Sequence, residues 1–129
     1  MPSASTITLA DGQATPVNHD FEPLSVTPER TVLVNRESDT SAGQMQLIVG
    51  LDPAKNGRKT NRINIRFNYP VEQTVDGVVR VAYVARFSGD VVLPEEMTQA
   101  QRDDVAAFIK NALADTVVNG IVSDLDPLY

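Results

Sequence analysis

Five basic side chains, Lys55, Arg58, Lys59, Arg62 and Arg66, lie between Asp52 and Glu72 with no acidic residue among them, in a chain of formal net charge −6. Guanidinium and ammonium groups at this density bind phosphates ionically, and amides placed between them can hydrogen-bond bases. In "RINIRFNY", residues 62 to 69, the alternation is strict: Ile63, Ile65, Phe67 and Tyr69 share one face, and Arg62, Asn64, Arg66 and Asn68 share the other. Such a strand keeps one face for a core and offers the other to a polar partner. Arg80, Arg86 and Ser88 of a later strand can join that polar face. A second reading stands beside this one. Asn56-Gly57 is a hairpin-turn signal, and exposed hairpins carry Lys and Arg as protection against edge pairing. The acidic total does not decide between them, because charges more than about 10 Å apart are largely screened in physiological salt.

Other chemistry finds little support. His19 is the single histidine and has no neighbouring nucleophile in sequence, so no catalytic triad is expected. Glu95-Glu96 and Asp103-Asp104 fall before and within the first turns of a helix, where the helix dipole favours carboxylates, so a structural role is preferred to catalysis or metal binding. "GRKT" at 57 to 60 lacks the glycine and lysine spacing of a phosphate-binding P-loop. The absence of cysteine excludes disulfides, thiol nucleophiles and cysteine metal sites. The expectation is a protein that is not an enzyme and has no cofactor and no metal.

The elements that must position the basic face read as follows. "TITL", 6 to 9, alternates and is followed by the turn signal Asp11-Gly12 and an extended piece toward Val17, an N-terminal hairpin. Residues 18 to 30 carry Pro23 and Pro28 without helical period, a loop or an interrupted edge strand. "TVLVNR" (31 to 36) and "MQLIVGLD" (45 to 52) are β-branched and aliphatic, two strands around a polar loop. After 62 to 69, "PVEQTVDG" reads as a connecting loop and Val78 to Pro94 as one long strand, with a bulge or bend near Ser88-Gly89. From Thr98 the period becomes helical: "TQAQ" fits a capping box, and Val105, Phe108, Ile109, Ala112 and Leu113 recur on one side. A shorter amphipathic piece follows over 116 to 125. Strands first and helices last is the α+β pattern, here an N-terminal β-hairpin, an antiparallel sheet and two C-terminal helices.

At 129 residues with 42% hydrophobic content, the prior is a single domain, 1 to 129, with a thin core. No signal-peptide pattern and no run of 18 apolar residues occurs, so neither export by a signal peptide nor a membrane helix is expected.

Taken end to end, the chain resembles the coat proteins of single-stranded RNA bacteriophages, the levivirus group. The resemblance rests on "TITLADG", "LIVGLDPAKNGRKTNRINIRF", "EQTVDGV" and "VAYVARFSGDVVLP", on their order, and on near-complete coverage. It implies a homodimer whose sheets join edge to edge into one continuous sheet, with each subunit's helices lying on its partner. It also implies an icosahedral shell around single-stranded genomic RNA, and a dimer that binds one RNA hairpin as translational repressor and packaging signal. Residues 70 to 77 would form a loop meeting its copies around symmetry axes. The implied location is the virion, reached from the host bacterial cytoplasm.

Carried over position by position, the implied RNA face is Gln46, Ile48 and Gly50, then Arg62, Asn64, Arg66 and Asn68, then Arg86 and Ser88. Lys59 of the basic segment joins them as an expected RNA contact. Ile48, Gly50, Asn64 and Arg86 stand where better-known members have small hydroxyl residues and a base-stacking tyrosine, so a different hairpin is expected. The absence of cysteine leaves particle stability to noncovalent contacts. The competing class is a cellular α+β RNA-binding module that never assembles into shells.

Overall fold

The computed structural model describes residues 4–55 and 57–125, which divide into two compact units, one ending at Val92 and one beginning at Leu93. The first unit holds, but for the last two residues of its final strand, a six-stranded sheet in sequential order: β1 (Ile7–Ala10), β2 (Asn18–Val26), β3 (Arg30–Val34), β4 (Gln46–Asp52), β5 (Thr60–Val75) and β6 (Val78–Pro94). The second holds α1 (Gln99–Ala114) and α2 (Thr116–Asp124). The expected α+β order is therefore present. No single described helix is long and apolar enough to cross a membrane.

The N-terminal hairpin forms, with Ala10 opposite Asn18, but its connection spans residues 11 to 17 rather than a two-residue turn at Asp11-Gly12. The Asp11 carboxylate explains the longer loop. Its Oδ1 accepts from the backbone of Gln13 at 3.2 Å and of Val17 at 3.0 Å, and its own N–H donates to Val17 O at 3.0 Å. Bonds of this kind let an aspartate organise a turn that glycine alone would leave loose.

Residues 18 to 26 are a strand between β1 and β3 rather than a loop or a sheet edge. Pro23 is accommodated in two ways. Pairing with β1 ends at Phe21, and on the β3 side the register shifts between Pro23 and Ser25. A residue without an N–H fits where the ladder is absent or bulged.

β5 extends to Val75, so "PVEQTV" continues the strand and the connection to β6 shrinks to Asp76-Gly77. Both residues have positive φ, 52° and 78°, as a two-residue turn twisted to match its strands requires. Pro70 interrupts nothing on the β4 side, because β4 pairs with β5 only as far as Asn68. The two strands, of 16 and 17 residues, far exceed the usual five or six. β6 also runs through Ser88-Gly89 without a break in strand.

The core is thin, as composition predicts. Phe21, Leu33 and Val34 are the buried apolar side chains among the described residues, and Phe21 meets Phe67 with ring centroids 6.0 Å apart and planes tilted by 58°. Such a pair adds about 0.5 to 1.5 kcal/mol beyond its burial. Buried Asn35 is satisfied throughout: Nδ2 donates to Asp20 O, Oδ1 accepts from Glu37 N, and its N–H donates to Met45 O. Between β3 and β4 a single 3-10 turn, Ser41–Gly43, is capped by Thr40. Gly43 is buried beneath the side chain of Glu72, which accepts a short hydrogen bond from Ser38 Oγ.

In the helical unit the expected capping box is complete. Thr98 Oγ1 accepts from Gln101 N at 3.3 Å, while Gln101 Oε1 accepts from Thr98 N at 3.0 Å. Asp115 caps α2 by accepting from Val117 N at 2.9 Å, and Leu125 ends it in the left-handed conformation. No described residue of either helix is buried; Phe108, on the expected apolar side of α1, is 72% exposed.

Candidate nucleic-acid interface

The register of three strands assembles the polar face row by row. Arg62 of β5 stands opposite Asp52 of β4, Asn64 opposite Gly50, Arg66 opposite Ile48, and Asn68 opposite Gln46. On the other side of β4, Gly50 faces Arg30 and Ile48 faces Val32. Cross-strand partners share a face, so the alternation read in 62 to 69 carries through β4 into β3. The opposite face collects Leu47, Val49 and Leu51 with Phe67, Ile65 and Ile63.

Because Gly50 has no side chain, an open hollow of about 590 Å³ lies over the middle row, lined by Arg30, Ile48, Gly50, Arg62, Asn64 and Arg66 among others. Five expected site residues therefore come together: Ile48, Gly50, Arg62, Asn64 and Arg66. Gln46 and Asn68 form the adjoining row outside the hollow. Arg86 and Ser88 are exposed on β6 and keep the alternation of Asp90, whose carboxylate accepts from Asn64 Nδ2 at 2.5 Å. Lys59 is exposed just before β5 and does not line the hollow.

Six residues of the lining were not among the expected site residues: Glu29, Arg30, Leu51, Asp52, Lys55 and Asp90. Asp90 was legible from its even spacing with Arg86 and Ser88. Arg30 was not, since its place depends on the β3–β4 register.

The basic segment divides in its roles. Arg58 fastens its own turn: Nη2 lies 2.9 Å from Asp52 Oδ1 and donates to Pro53 O at 2.8 Å, and Nε donates to Thr60 O at 3.2 Å. The hydrogen bond from Arg58 holds the Asp52 carboxyl below its ordinary value, aided by the charges of Arg58, Lys55 and Arg62. Lys55 approaches the same carboxylate at 3.8 Å. Asn56 of the expected turn lies outside the described residues; Gly57 has φ +83°. Arg62 and Arg66, by contrast, are exposed, and among the described residues no carboxylate lies within ion-pair distance of either. Their charge is available to an anion.

A second cluster was invisible in the sequence. His19 sits between two carboxylates, Nε2 at 3.0 Å from Asp11 Oδ2 and Nδ1 at 2.7 Å from Glu37 Oε2. Hydrogen bonds to Asp11 and then Glu37 raise the imidazole's pKa above its ordinary 6.5, while the bond to His19 lowers that of Asp11 below 3.8. The two acids occupy opposite ring nitrogens, which makes a clamp between the hairpin loop and the segment after β3. Among the described residues no group of His, Asp and Glu is arranged to hold a metal ion.

Comparison with known proteins fits this architecture. The protein of the virus-like particle of bacteriophage NT-214 superposes with a TM-score of 0.87 at 26% identity, covering 99% of this chain and 100% of that one. That of bacteriophage ESE058 gives 0.85 at 29% identity with the same coverage. The capsid protein of bacteriophage GA, at 17% identity and a TM-score of 0.73 over 93% of this chain and 94% of that one, shares the fold. No curated protein matches significantly. The model of the levivirus coat protein family, which is structural and not enzymatic, matches residues 2–129. With strand order, paired helices and whole-length match in agreement, the chain belongs to the levivirus coat protein family.

Proposed function

We propose that residues 1 to 129 act as one coat-protein domain that assembles, as dimers, into an icosahedral shell around single-stranded genomic RNA. The dimer also binds an RNA hairpin to repress translation and select the genome. The observation that carries the RNA part is the pair Arg62 and Arg66, exposed, with no carboxylate within ion-pair distance among the described residues, and flanking an amide over a hollow in the sheet. Guanidiniums hold phosphates there, and the amides and the hollow receive bases.

Edge-to-edge dimerisation is supported by β6. It is an edge strand of 17 residues, with Tyr83 66% exposed, and an open ladder of that length invites a second copy. The apolar side chains of Phe108, Leu113 and Val122, exposed on the helices, supply surface for that copy to cover. The β5–β6 tip at Asp76-Gly77 takes the place of the longer loop expected over residues 70 to 77 in contacts around symmetry axes. The protein works in the virion after assembly in the host bacterial cytoplasm.

Size-exclusion chromatography and electron microscopy of the purified protein, with nuclease digestion of its nucleic acid, test the proposal. The expected result is closed particles containing nuclease-protected RNA. A persistent dimer with no particles would favour a non-assembling RNA-binding module, and particles without RNA would remove the role of the arginine face.

A further inference from the structure

Asn64 is held from one side only. Its Nδ2 lies 2.5 Å from Asp90 Oδ1, while its cross-strand neighbour on β4, Gly50, offers no side chain. An ionised carboxylate only accepts hydrogen bonds, so the contact requires the amide nitrogen to face Asp90. That removes the usual freedom of a side-chain amide to present either end. Oδ1 of Asn64 remains an acceptor without a partner among the described residues, at the hollow that Asn64 lines with Arg30, Arg62 and Arg66.

Asp90 itself makes no ion pair among the described residues, so it is not there to anchor an arginine. On a surface that only gathers phosphates, a carboxylate beside the arginines weakens binding. It is useful on a surface that must discriminate, because it repels a phosphate from one place and fixes the polarity of the neighbouring amide.

Resting on the RNA-face reading above, we propose that Asp90 is a positioning residue for base specificity. By holding Asn64 with its carbonyl oxygen free, it makes the face select a base with an amino group at the contacted position, the N6 of adenine or the N4 of cytosine, over one with a carbonyl there, the O6 of guanine or the O4 of uracil.

The test uses the purified protein, an RNA hairpin library with a randomised loop, and poly(U) as a polyanion without sequence choice. Wild type is expected to enrich adenine or cytosine at one loop position. Asp90→Ala should lose that preference by about 5-fold or more, the scale of one well-made base contact, while its affinity for poly(U) stays level or rises. In an Asn64→Ala background the same substitution should change the preference no further. An unchanged preference in Asp90→Ala, or an additional loss without Asn64, overturns the proposal. Should Asp90→Ala also lose poly(U) binding through misfolding, the isosteric Asp90→Asn carries the same expectation, since its amide no longer dictates which end of Asn64 turns away. A different outcome marks failure of the underlying reading: wild type enriches no hairpin, and Arg62→Ala and Arg66→Ala bind poly(U) as wild type does.

Discussion

Replacing Arg62 or Arg66 with alanine should lower the salt dependence of RNA binding, and replacing Arg58 should not. On the proposed RNA face, each exposed arginine with no acidic partner among the described residues would neutralise one phosphate and release its counterions. The slope of log Kobs against log salt should then fall by about 0.7 to 0.9 per arginine, according to whether the contact is to single-stranded or paired RNA. Between 50 and 200 mM salt that amounts to a change of about 3-fold in the ratio of wild-type to variant affinity for each side chain removed. Arg58 differs only in its geometry, being bound to Asp52 Oδ1 at 2.9 Å and to the carbonyls of Pro53 and Thr60. Its loss should loosen the 53 to 60 turn and leave the slope alone. The assay is filter binding or fluorescence anisotropy with one RNA hairpin over a salt series, with circular dichroism to show that the variants fold. If Arg58→Ala lowers the slope as much as Arg62→Ala, the division of the basic segment into turn and interface is wrong. Unchanged slopes in both Arg62→Ala and Arg66→Ala would remove the face altogether.

Two further predictions concern stability. Gly43→Ala would place a methyl 2.6 Å from Ser38 Oγ and into the Glu72 carboxylate, displacing Glu72 from Ser38. The expected cost is about 1.5 to 3 kcal/mol, the scale of a lost charge-assisted hydrogen bond. Denaturant titration should show that cost vanish in a Glu72→Ala background, and an equal cost there would refute the mechanism. The His19 clamp should depend on pH with a definite sign. His19 has a raised folded-state pKa, so its contribution is complete below about 6.5 and is lost as pH rises through that higher value. Asp11 has a lowered one, so its contribution is complete above about 3.8 and is lost as pH falls through the lower value. Protection factors of the N-terminal hairpin amides, exchange rates corrected for their intrinsic pH dependence, should therefore be highest between these limits and fall as the pH rises through His19's raised value. His19→Gln should flatten the profile; a profile that keeps its shape in this variant would count against the clamp.

What was legible in the sequence is what repeats locally. Strict alternation in 62 to 69 fixed the two faces of β5, and the Thr98 and Gln101 pair fixed the start of α1. Two misreadings involve proline: Pro23 argues locally for a loop or an interrupted edge strand, and "PVEQTVDG", which opens on Pro70, reads as a loop, yet a missing N–H matters only where a neighbouring strand would accept it. Pro23 lies beyond β1's reach at a register shift, and Pro70 lies beyond the last β4 partner. The His19 clamp joins residues 8 and 18 positions apart, and Arg30 reaches the face through the β3–β4 register. Neither follows from spacing, because pairing partners distant in sequence are chosen by the whole sheet.

The long β5–β6 hairpin is also a lever. Beyond Asn68 it loses β4, and at about 3.3 Å per residue the seven residues to Val75 project about 23 Å from the body of the sheet. A ribbon two strands wide bends far more readily than a sheet of five or six. The Ser38–Glu72 bond props that ribbon partway along, leaving about 10 Å free beyond it. A bend of 10° would move the tip about 2 Å with the prop in place and about 4 Å without it. One hydroxyl and one carboxylate thus set how far the Asp76-Gly77 tip can travel, independently of the rows that carry the arginines.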